Sequence, residues 1–264
     1  MNGFSHFSET YHAALSTHTL GRALELHEEL DSTNAYLKRR FLSGGASKGL
    51  AAVALSQTSG RGRLGRVWES AAGEGLYLSF VTPAVPGELL PLVPVAAGVA
   101  VAQACRTAAG CEAGIKWPND IMIRDRKLAG ILCEGIRGQA VCGIGVNLSQ
   151  SAAFFRHAEL PHATSLLLET GRVPDAGELA AAIANALEPW LDRLLSEGGA
   201  ALLPVFRSLC LSIGREVRAL SPRGDVCGRA VDIDGEGRLV IETEAGRVAV
   251  SAGEVQLRTA QGYL

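Results

Sequence analysis

Apolar and polar positions along the 264-residue chain alternate with several distinct periods, and each period predicts an element. Asp31-Ser32-Thr33 precedes a stretch from Asn34 to Leu42 in which Leu37 and Phe41 lie four apart, the pattern of an N-capped amphipathic helix. Leu50 to Gln57 and Leu76 to Thr82 are apolar runs of strand length. Residues 88–109 are mostly apolar and entered through prolines, which predicts a buried helix. Strand-like runs follow at 114–117, 120–123, 128–134 and 140–146, with Arg124-Asp125-Arg126 as a hairpin connection. Asp175 and Glu178 form a capping-box pattern at the head of a helix reaching about Ser196, and a shorter helix is expected near 200–210.

Beyond Ile213 the period changes. Short β-rich runs at 216–220, 227–232, 239–243, 247–250 and 254–257 are separated by Ser-Pro-Arg-Gly, Asp-Gly-Glu-Gly and Glu-Ala-Gly. Such closely spaced turn signals predict a small β-barrel. The expected organisation is therefore an α/β domain over 1–211 and a small β-barrel domain over 212–264. Residues 1–20 are polar with scattered histidines and are expected to form a mobile or loosely packed terminus. His6, His12 and His18 are six apart, a spacing that does not stack on one helix face, so no metal site is expected there.

Composition narrows the function. The chain is 47% hydrophobic and 20% charged, enough for a sizeable core. Its formal net charge of -2 argues against a surface built for nucleic acid or membranes, so an anionic ligand must be held by a local cluster of cations. The apolar uncharged run Leu89 to Cys105 is 17 residues and contains two prolines, short of a spanning helix. The first residues carry no basic and apolar leader pattern, and a cytoplasmic location is expected. The six cysteines form no CxxC pair, so neither a zinc site nor a disulfide framework is expected. Basic residues comprise 21 Arg but only 4 Lys, and Lys116 and Lys127 fall within twelve residues of each other. Lys is a compact point charge and Arg a planar fork, so a site can demand one and reject the other.

Three segments carry chemistry. In Ser59 to Trp68, Gly60, Gly62 and Gly65 alternate with Arg61, Arg63 and Arg66. Glycine allows close backbone approach, Arg supplies forked donors for phosphate or carboxylate, and Trp68 can stack on a flat heterocycle. The segment is neither a Walker A loop nor a Rossmann turn, and a solvated Arg-rich loop is the plain alternative. In Lys116 to Gly135, Pro118 interrupts a strand, Asn119-Asp120 adds polar groups, and Lys127 sits beside the small Ala129 and Gly130. Gly143 to Leu148 places two glycines in a strand that ends at Asn147.

Taken together, DSTN (31–34), Gln57, GRGRLGR (60–66), Trp68, KWPND (116–120), KLAGI (127–131) and GIGVNL (143–148) resemble biotin–protein ligase over about residues 25–258. The resemblance implies a mixed sheet akin to the catalytic domain of class II aminoacyl-tRNA synthetases, followed by a small β-barrel. It implies formation of biotinyl-5′-AMP from biotin and ATP with Mg²⁺, then transfer to one lysine of a biotin carboxyl carrier protein. Relatives that double as repressors carry a winged helix-turn-helix ahead of DSTN; about 30 residues stand there, so a short form without DNA binding is expected. Relatives often pair through the central sheet, so a homodimer is among the expectations.

By the same resemblance, Ser32, Thr33, Asn34, Gln57, Gly60, Arg61, Gly62, Arg63, Lys127 and Gly130 would form the biotin site. Arg63, Arg66, Trp68, Lys116, Asn119 and Asn147 would bind ATP and the adenylate. Arg63, Lys127 and Asp120 would carry the chemistry, Asp120 by orienting or deprotonating the incoming lysine. Leu64 stands where some relatives have another basic residue, which removes one phosphate contact. Two other readings compete: a lipoate–protein ligase with the same acyl-adenylate logic, and a non-enzymatic biotin- or nucleotide-responsive binding protein.

Overall fold

The structure, a computed structural model, describes residues 3–220, 224–251, 254–259 and 262–263. Its elements in chain order are α1 (Gly3–Ala14), β1 (Leu24–Leu30), α2 (Thr33–Leu42), β2 (Ala51–Gln57), β3 (Gly75–Val81), α3 (Val93–Ala109), β4 (Ala113–Lys116), β5 (Asp120–Ile123), β6 (Arg126–Ile136) and β7 (Gln139–Asn147). They continue with α4 (Ala152–His157), α5 (Leu166–Thr170), α6 (Ala176–Glu197) and α7 (Leu202–Leu209). The last are β8 (Glu216–Leu220), β9 (Val226–Ile233), β10 (Leu239–Thr243), β11 (Gly246–Val250), β12 (Glu254–Thr259) and β13 (Gly262–Tyr263).

Seven strands form one sheet in the order β1-β2-β3-β7-β6-β5-β4. Only β1 and β2 run parallel; the other neighbours are antiparallel, so the sheet is mixed. Strand alternation sorts its side chains between two layers. Ala51, Val53, Leu78 and Phe80 join the cluster built around α3 and α6, whereas Ala52, Val81 and Val141 pack against Leu37 of α2 on the other face. The apolar stretch Leu90–Ala109 is long enough to cross a membrane by composition, but its alanine- and valine-rich body lies in this core. The pocket described below lies on the α2 face.

The second sheet has the order β11-β10-β9-β8-β12-β13. Among the described residues its outer strands β11 and β13 do not pair, so it is an open sheet where a barrel was expected. It is fastened to the segment Ile115–Trp117. Leu211 N–H donates to Ile115 O at 2.8 Å, Trp117 N–H to Ser212 Oγ at 3.0 Å, and the Trp117 indole N–H to Gly237 O at 2.9 Å.

The amino-terminal segment departs from expectation. Gly3–Ala14 is a helix, and Phe7, Tyr11 and Leu15, spaced four apart, bury one face against the core. The Tyr11 hydroxyl donates to Gly21 O at 2.9 Å. In the first turn of α6 stands Gly177, where a β-carbon would collide with Phe7 O and Thr10 Oγ1, so α1 and α6 meet backbone to backbone. Asp175 caps α6 through Glu178 N–H at 3.0 Å, as its sequence pattern implies, and also accepts from Thr10 Oγ1 at 2.6 Å. The polar face of α1 concealed this packing in the sequence.

Glu188 of α6 holds the next turn of chain by accepting the backbone N–H groups of His18, Thr19 and Leu20 at 2.6, 2.7 and 2.7 Å. Burial pushes its carboxyl up, but the three N–H donors outweigh it and hold the group below the ordinary glutamate range. A depressed folded-state value stabilises the fold above the unfolded-state value, and that contribution fades as pH falls through the depressed one. Glu188→Gln should therefore cost about 1–3 kcal/mol at neutral pH. In melting curves recorded against pH, the gap from the unsubstituted protein should close as the pH drops below the carboxylate range.

Candidate active site

The pocket floor is made of strand positions without β-carbons. In the β6–β7 ladder, Gly130 faces Gly145 and Leu132 faces Gly143. A β-carbon on Gly145 would lie 2.6 Å from Trp68 Cε2, and one on Gly130 would lie 2.8 Å from Trp68 Cζ3. One on Gly143 would collide with Asn34 Oδ1. The indole and the Asn34 amide therefore rest directly on the sheet. Above them opens a cavity of about 350 Å³.

The 59–70 segment is folded back on itself over this floor. Trp68 N–H donates to Gly60 O at 2.9 Å, Arg61 and Val67 form a bridge, and Gly62 N–H donates to Arg66 O at 2.8 Å. Leu64 sits at the tip with a φ of 56 and is 71% exposed. Gly60 does not line the cavity; it is needed because a β-carbon there would collide with the Trp68 carbonyl. Every other expected site residue does line it. Ser32, Thr33, Asn34 and Gln57 contribute from the β1–α2 and β2 side; Arg61, Gly62, Arg63, Arg66 and Trp68 come from the hairpin. Lys116, Asn119, Asp120, Lys127, Gly130 and Asn147 come from β4–β7.

On one side the groups are neutral and interlocked. Ser32 caps α2, its Oγ accepting from Ala35 N–H. Gln57 Oε1 accepts from Thr33 N–H at 2.9 Å, which turns its amide Nε2 away from Thr33. The Asn34 amide nitrogen donates to Leu132 O at 2.9 Å and Glu134 Oε2 at 3.0 Å, and Glu134 pairs with Lys38 at 2.6 Å. Burial raises the Glu134 carboxyl, while Lys38, Asn34 and the nearby Arg61 charge bring it below the usual range.

On the other side the groups are charged. Arg63 Nη1 donates to Asn119 Oδ1 at 3.1 Å, and Asn119 is itself held by Ile131 O at 2.9 Å. Burial presses the Arg63 guanidinium below its ordinary value, opposed by the Asp120 charge, and leaves it a cation at any working pH. Lys127 Nζ lies 2.7 Å from Asp120 Oδ1 and 5.5 Å from the centre of the Trp68 ring. A bulge aims it. Met122 pairs with Lys127 and Ile121 with Ala129, so Leu128 is the extra residue. Without the bulge Lys127 would share a face with Ala129 and Ile131, which join the buried core.

The 148–170 segment carried no motif, yet it completes the site. Lys127 N–H donates to His162 O at 2.6 Å and Thr164 N–H to Lys127 O at 2.8 Å, stitching this segment to the reactive strand. Phe154, Phe155, Leu160, His162 and Ala163 line the cavity. Only the helix caps Ser151 and Ser165 were signals in its sequence. Asn147 reaches the cavity, but its amide nitrogen is bound to Thr164 O at 2.9 Å and its Oδ1 lies 3.3 Å from Gln150 Nε2, so it serves the chain itself first. Among the described residues, no group of three or more His, Cys, Asp or Glu side chains is placed to hold a metal ion.

A neutral, hydrogen-bonded head site and a cationic end joined in one cavity fit an enzyme that activates an elongated acid. Residues 26–150 match the Biotin/lipoate A/B protein ligase family, and residues 212–258 match the Biotin protein ligase C terminal domain. The chain is 37% identical over 242 residues to the biotin–[acetyl-CoA-carboxylase] ligase of Mycobacterium tuberculosis, spanning 89% of this chain and 88% of that one. It is 33% identical over 250 residues to the bifunctional ligase/repressor BirA of Bacillus subtilis, spanning 92% of this chain and 76% of that one. The solved structure of the Aquifex aeolicus biotin protein ligase in complex with biotin and ATP is similar with a TM-score of 0.78 at 31% identity, over 90% of this chain and 100% of that one. These matches place the protein in a class of ligases that includes biotin and lipoate enzymes. Within that class the chain belongs to the biotin protein ligase family, and it is a ligase enzyme.

The floor yields a direct expectation. Gly145→Ala puts a methyl group where the Trp68 indole lies, so the ring must lift from the sheet and the 59–70 hairpin must loosen. Limited proteolysis should cut this segment faster than in the unsubstituted protein, and Trp fluorescence should shift to the red. Melting should change little, because Gly145 faces the cavity rather than the core.

Proposed function

We propose that this pocket joins biotin to ATP as biotinyl-5′-AMP, releases pyrophosphate, and passes the biotinyl group to one lysine of a biotin carboxyl carrier protein. One observation carries the reading. Gln57 ends β2 and Lys127 is the second residue of β6, and β3 and β7 lie between them in the sheet. Three strand spacings are about 14 Å. An elongated acid with a polar ring at one end and a carboxylate at the other spans that floor. The Thr33–Gln57 pair meets its head, and Arg63 and Lys127 meet its carboxylate.

In the first step a carboxylate attacks the α-phosphate, so two anions must approach. Fixed cations in a cavity shielded from water offset their repulsion and the charge that develops on the phosphoryl oxygens. Arg63, held by Asn119, and Lys127, held between Asp120 and the Trp68 face, supply this charge without large reorganisation. Arg61 and Arg66 on the hairpin extend it toward the phosphates, and the adenine side lies against Trp68, Asn119 and Lys116. In the second step the carrier amine attacks the activated carbonyl. Asp120 is the carboxylate within reach of that amine, once Lys127 shifts toward the adenylate. No Ser-His or Cys-His nucleophile is needed, because the carboxylate is activated by the nucleotide. Mg²⁺ would arrive with ATP as a substrate ion and share the charge of its phosphates.

Two finer expectations go with it: that the mixed sheet is akin to the class II synthetase catalytic domain, and that residues 212–264 are a separate small domain. The fastening of β8–β12 to Ile115–Trp117 supports a role for that second part in shaping the nucleotide side, since Val255 also lines the cavity.

Lys127→Ala should lower single-turnover adenylate formation by roughly 10²–10³, the usual loss for one preorganised donor at a developing charge. Lys127→Arg should also be poor, because a longer planar fork replaces a point charge between Asp120 and Trp68. The decisive test of the function is incubation of the purified protein with ATP, a carrier domain and either biotin or lipoate. Mass spectrometry should show one biotinyl group on one carrier lysine and no lipoylation. Lipoylation at a comparable rate would support the lipoate reading, and no transfer of either acid would support a non-enzymatic binding protein.

A further inference from the structure

We propose that Ser79 and Asn34 determine head-group specificity by fixing the direction of the proton on Thr33, so that the site accepts a ligand N–H there and rejects an oxygen. This rests on the biotin reading above and assigns Ser79, a residue outside the cavity lining, a positioning role.

The Asn34 amide nitrogen faces Leu132 O at 2.9 Å and Glu134 Oε2 at 3.0 Å, and a carbonyl and a carboxylate can only accept. The amide orientation is therefore set, and Asn34 Oδ1 points at Ser79 Oγ, 2.7 Å away. An amide oxygen only accepts, so the single Ser79 proton goes to it. The Ser79 oxygen also lies 2.7 Å from Thr33 Oγ1. With its own proton spent, Ser79 can only accept there, and Thr33 must donate. Were the Thr33 proton turned to Gln57 Oε1 at 3.2 Å instead, two oxygens would face each other at 2.7 Å with no proton between them. Thr33 thus offers the cavity lone pairs only. Gln57 is set in the opposite sense: its Oε1 accepts from Thr33 N–H at 2.9 Å, and its Nε2, with two protons and one long contact to Ser70 Oγ at 3.5 Å, keeps an N–H for the cavity.

An acceptor beside a donor matches a ligand that carries an N–H beside a C=O. A cyclic urea has that pair and a dithiolane ring has neither. Ser79 is 0% exposed and lies outside the cavity lining, so no water competes for the hydroxyl at the centre of the chain of bonds. Glu134, paired with Lys38, is the acidic end that anchors its sense.

The test compares biotin with its two cyclic-carbamate isomers, in each of which one ureido N–H is replaced by a ring oxygen. Dissociation constants are measured by titration calorimetry on the full-length unsubstituted protein, Ser79→Ala and Asn34→Ala. In the unsubstituted protein one carbamate isomer should bind about 100-fold more weakly than biotin, because its oxygen meets lone pairs where a buried hydrogen bond was required. In Ser79→Ala the Thr33 proton loses its 2.7 Å acceptor and keeps only the longer contact to Gln57 Oε1 at 3.2 Å, which it can leave for a ligand oxygen in the cavity. In Asn34→Ala the Ser79 proton is freed and can reverse the Thr33 bond. In both, the ratio should fall at least tenfold. A purely structural role would weaken all three ligands together and leave the ratio unchanged, and that result in both folded variants overturns the proposal. Equal binding of biotin and both carbamates by the unsubstituted protein also overturns it. Absence of any biotin binding by the unsubstituted protein would instead overturn the functional reading on which it rests.

Discussion

The contact on which the site depends is that of two side chains with strand backbone. Trp68 lies on Gly130 and Gly145, and Asn34 on Gly143, at distances that leave no space for a β-carbon. These three positions lie on adjacent strands and on the α2 face of the sheet, while their neighbours Ile131, Cys142 and Ile144 fill the core on the other face. One ladder therefore does two jobs. Its outer face is the floor of a cavity and its inner face is part of the core that holds the floor flat. The interior strands carry this double role because the helices α3 and α6 pack against them on one face, while α2 covers only part of the other.

Electrostatics follow from the same geometry. A protein with a net charge of -2 concentrates cations over a small floor, and each described contact restrains one of them. Lys127 is aimed by a bulge and held by Asp120; Arg63 is half-buried and held by Asn119. Such side chains are arranged before the anions arrive, so little energy is lost in ordering them during the reaction. The neutral side is arranged differently, by a chain of hydrogen bonds that ends on the Glu134–Lys38 pair. Charge handles the reacting end of the acid and proton order handles its head.

Much of this was legible in the sequence, and the rest was hidden for identifiable reasons. The α2 cap, the strands on either side of the Gly–Arg segment, the Arg124–Arg126 hairpin connection and the Asp175 cap are local patterns, and local patterns survive in a single sequence. The α1 helix was missed because its three anchoring residues, Phe7, Tyr11 and Leu15, are diluted by Ser, Thr and His on the exposed face. The β1 strand was missed because glutamates occupy an edge strand that is half-buried, which blurs its alternation. Of the site, the cationic and glycine motifs were visible, and all but Gly60 and Gly65 of the Gly–Arg segment reach the cavity. Ser79 was invisible: a lone serine inside the apolar run Leu76 to Thr82 reads as noise until its partners from α2 are seen beside it. The 148–170 wall was invisible too, because it acts through backbone bonds to Lys127 that no side-chain pattern encodes. The closure of the second sheet is a long-range property of strand pairing, which turn spacing alone does not determine.

The account's central claim is that this cavity makes and keeps an acyl-adenylate. The most direct test is a rapid-quench experiment with enzyme in excess over ATP labelled in the α-phosphate, with biotin present and no carrier. The account predicts that label accumulates as biotinyl-5′-AMP, up to one per active chain, stays bound to the protein, and is discharged as AMP when carrier is added. Label appearing as ADP, or as free AMP with no retained adenylate, would contradict it.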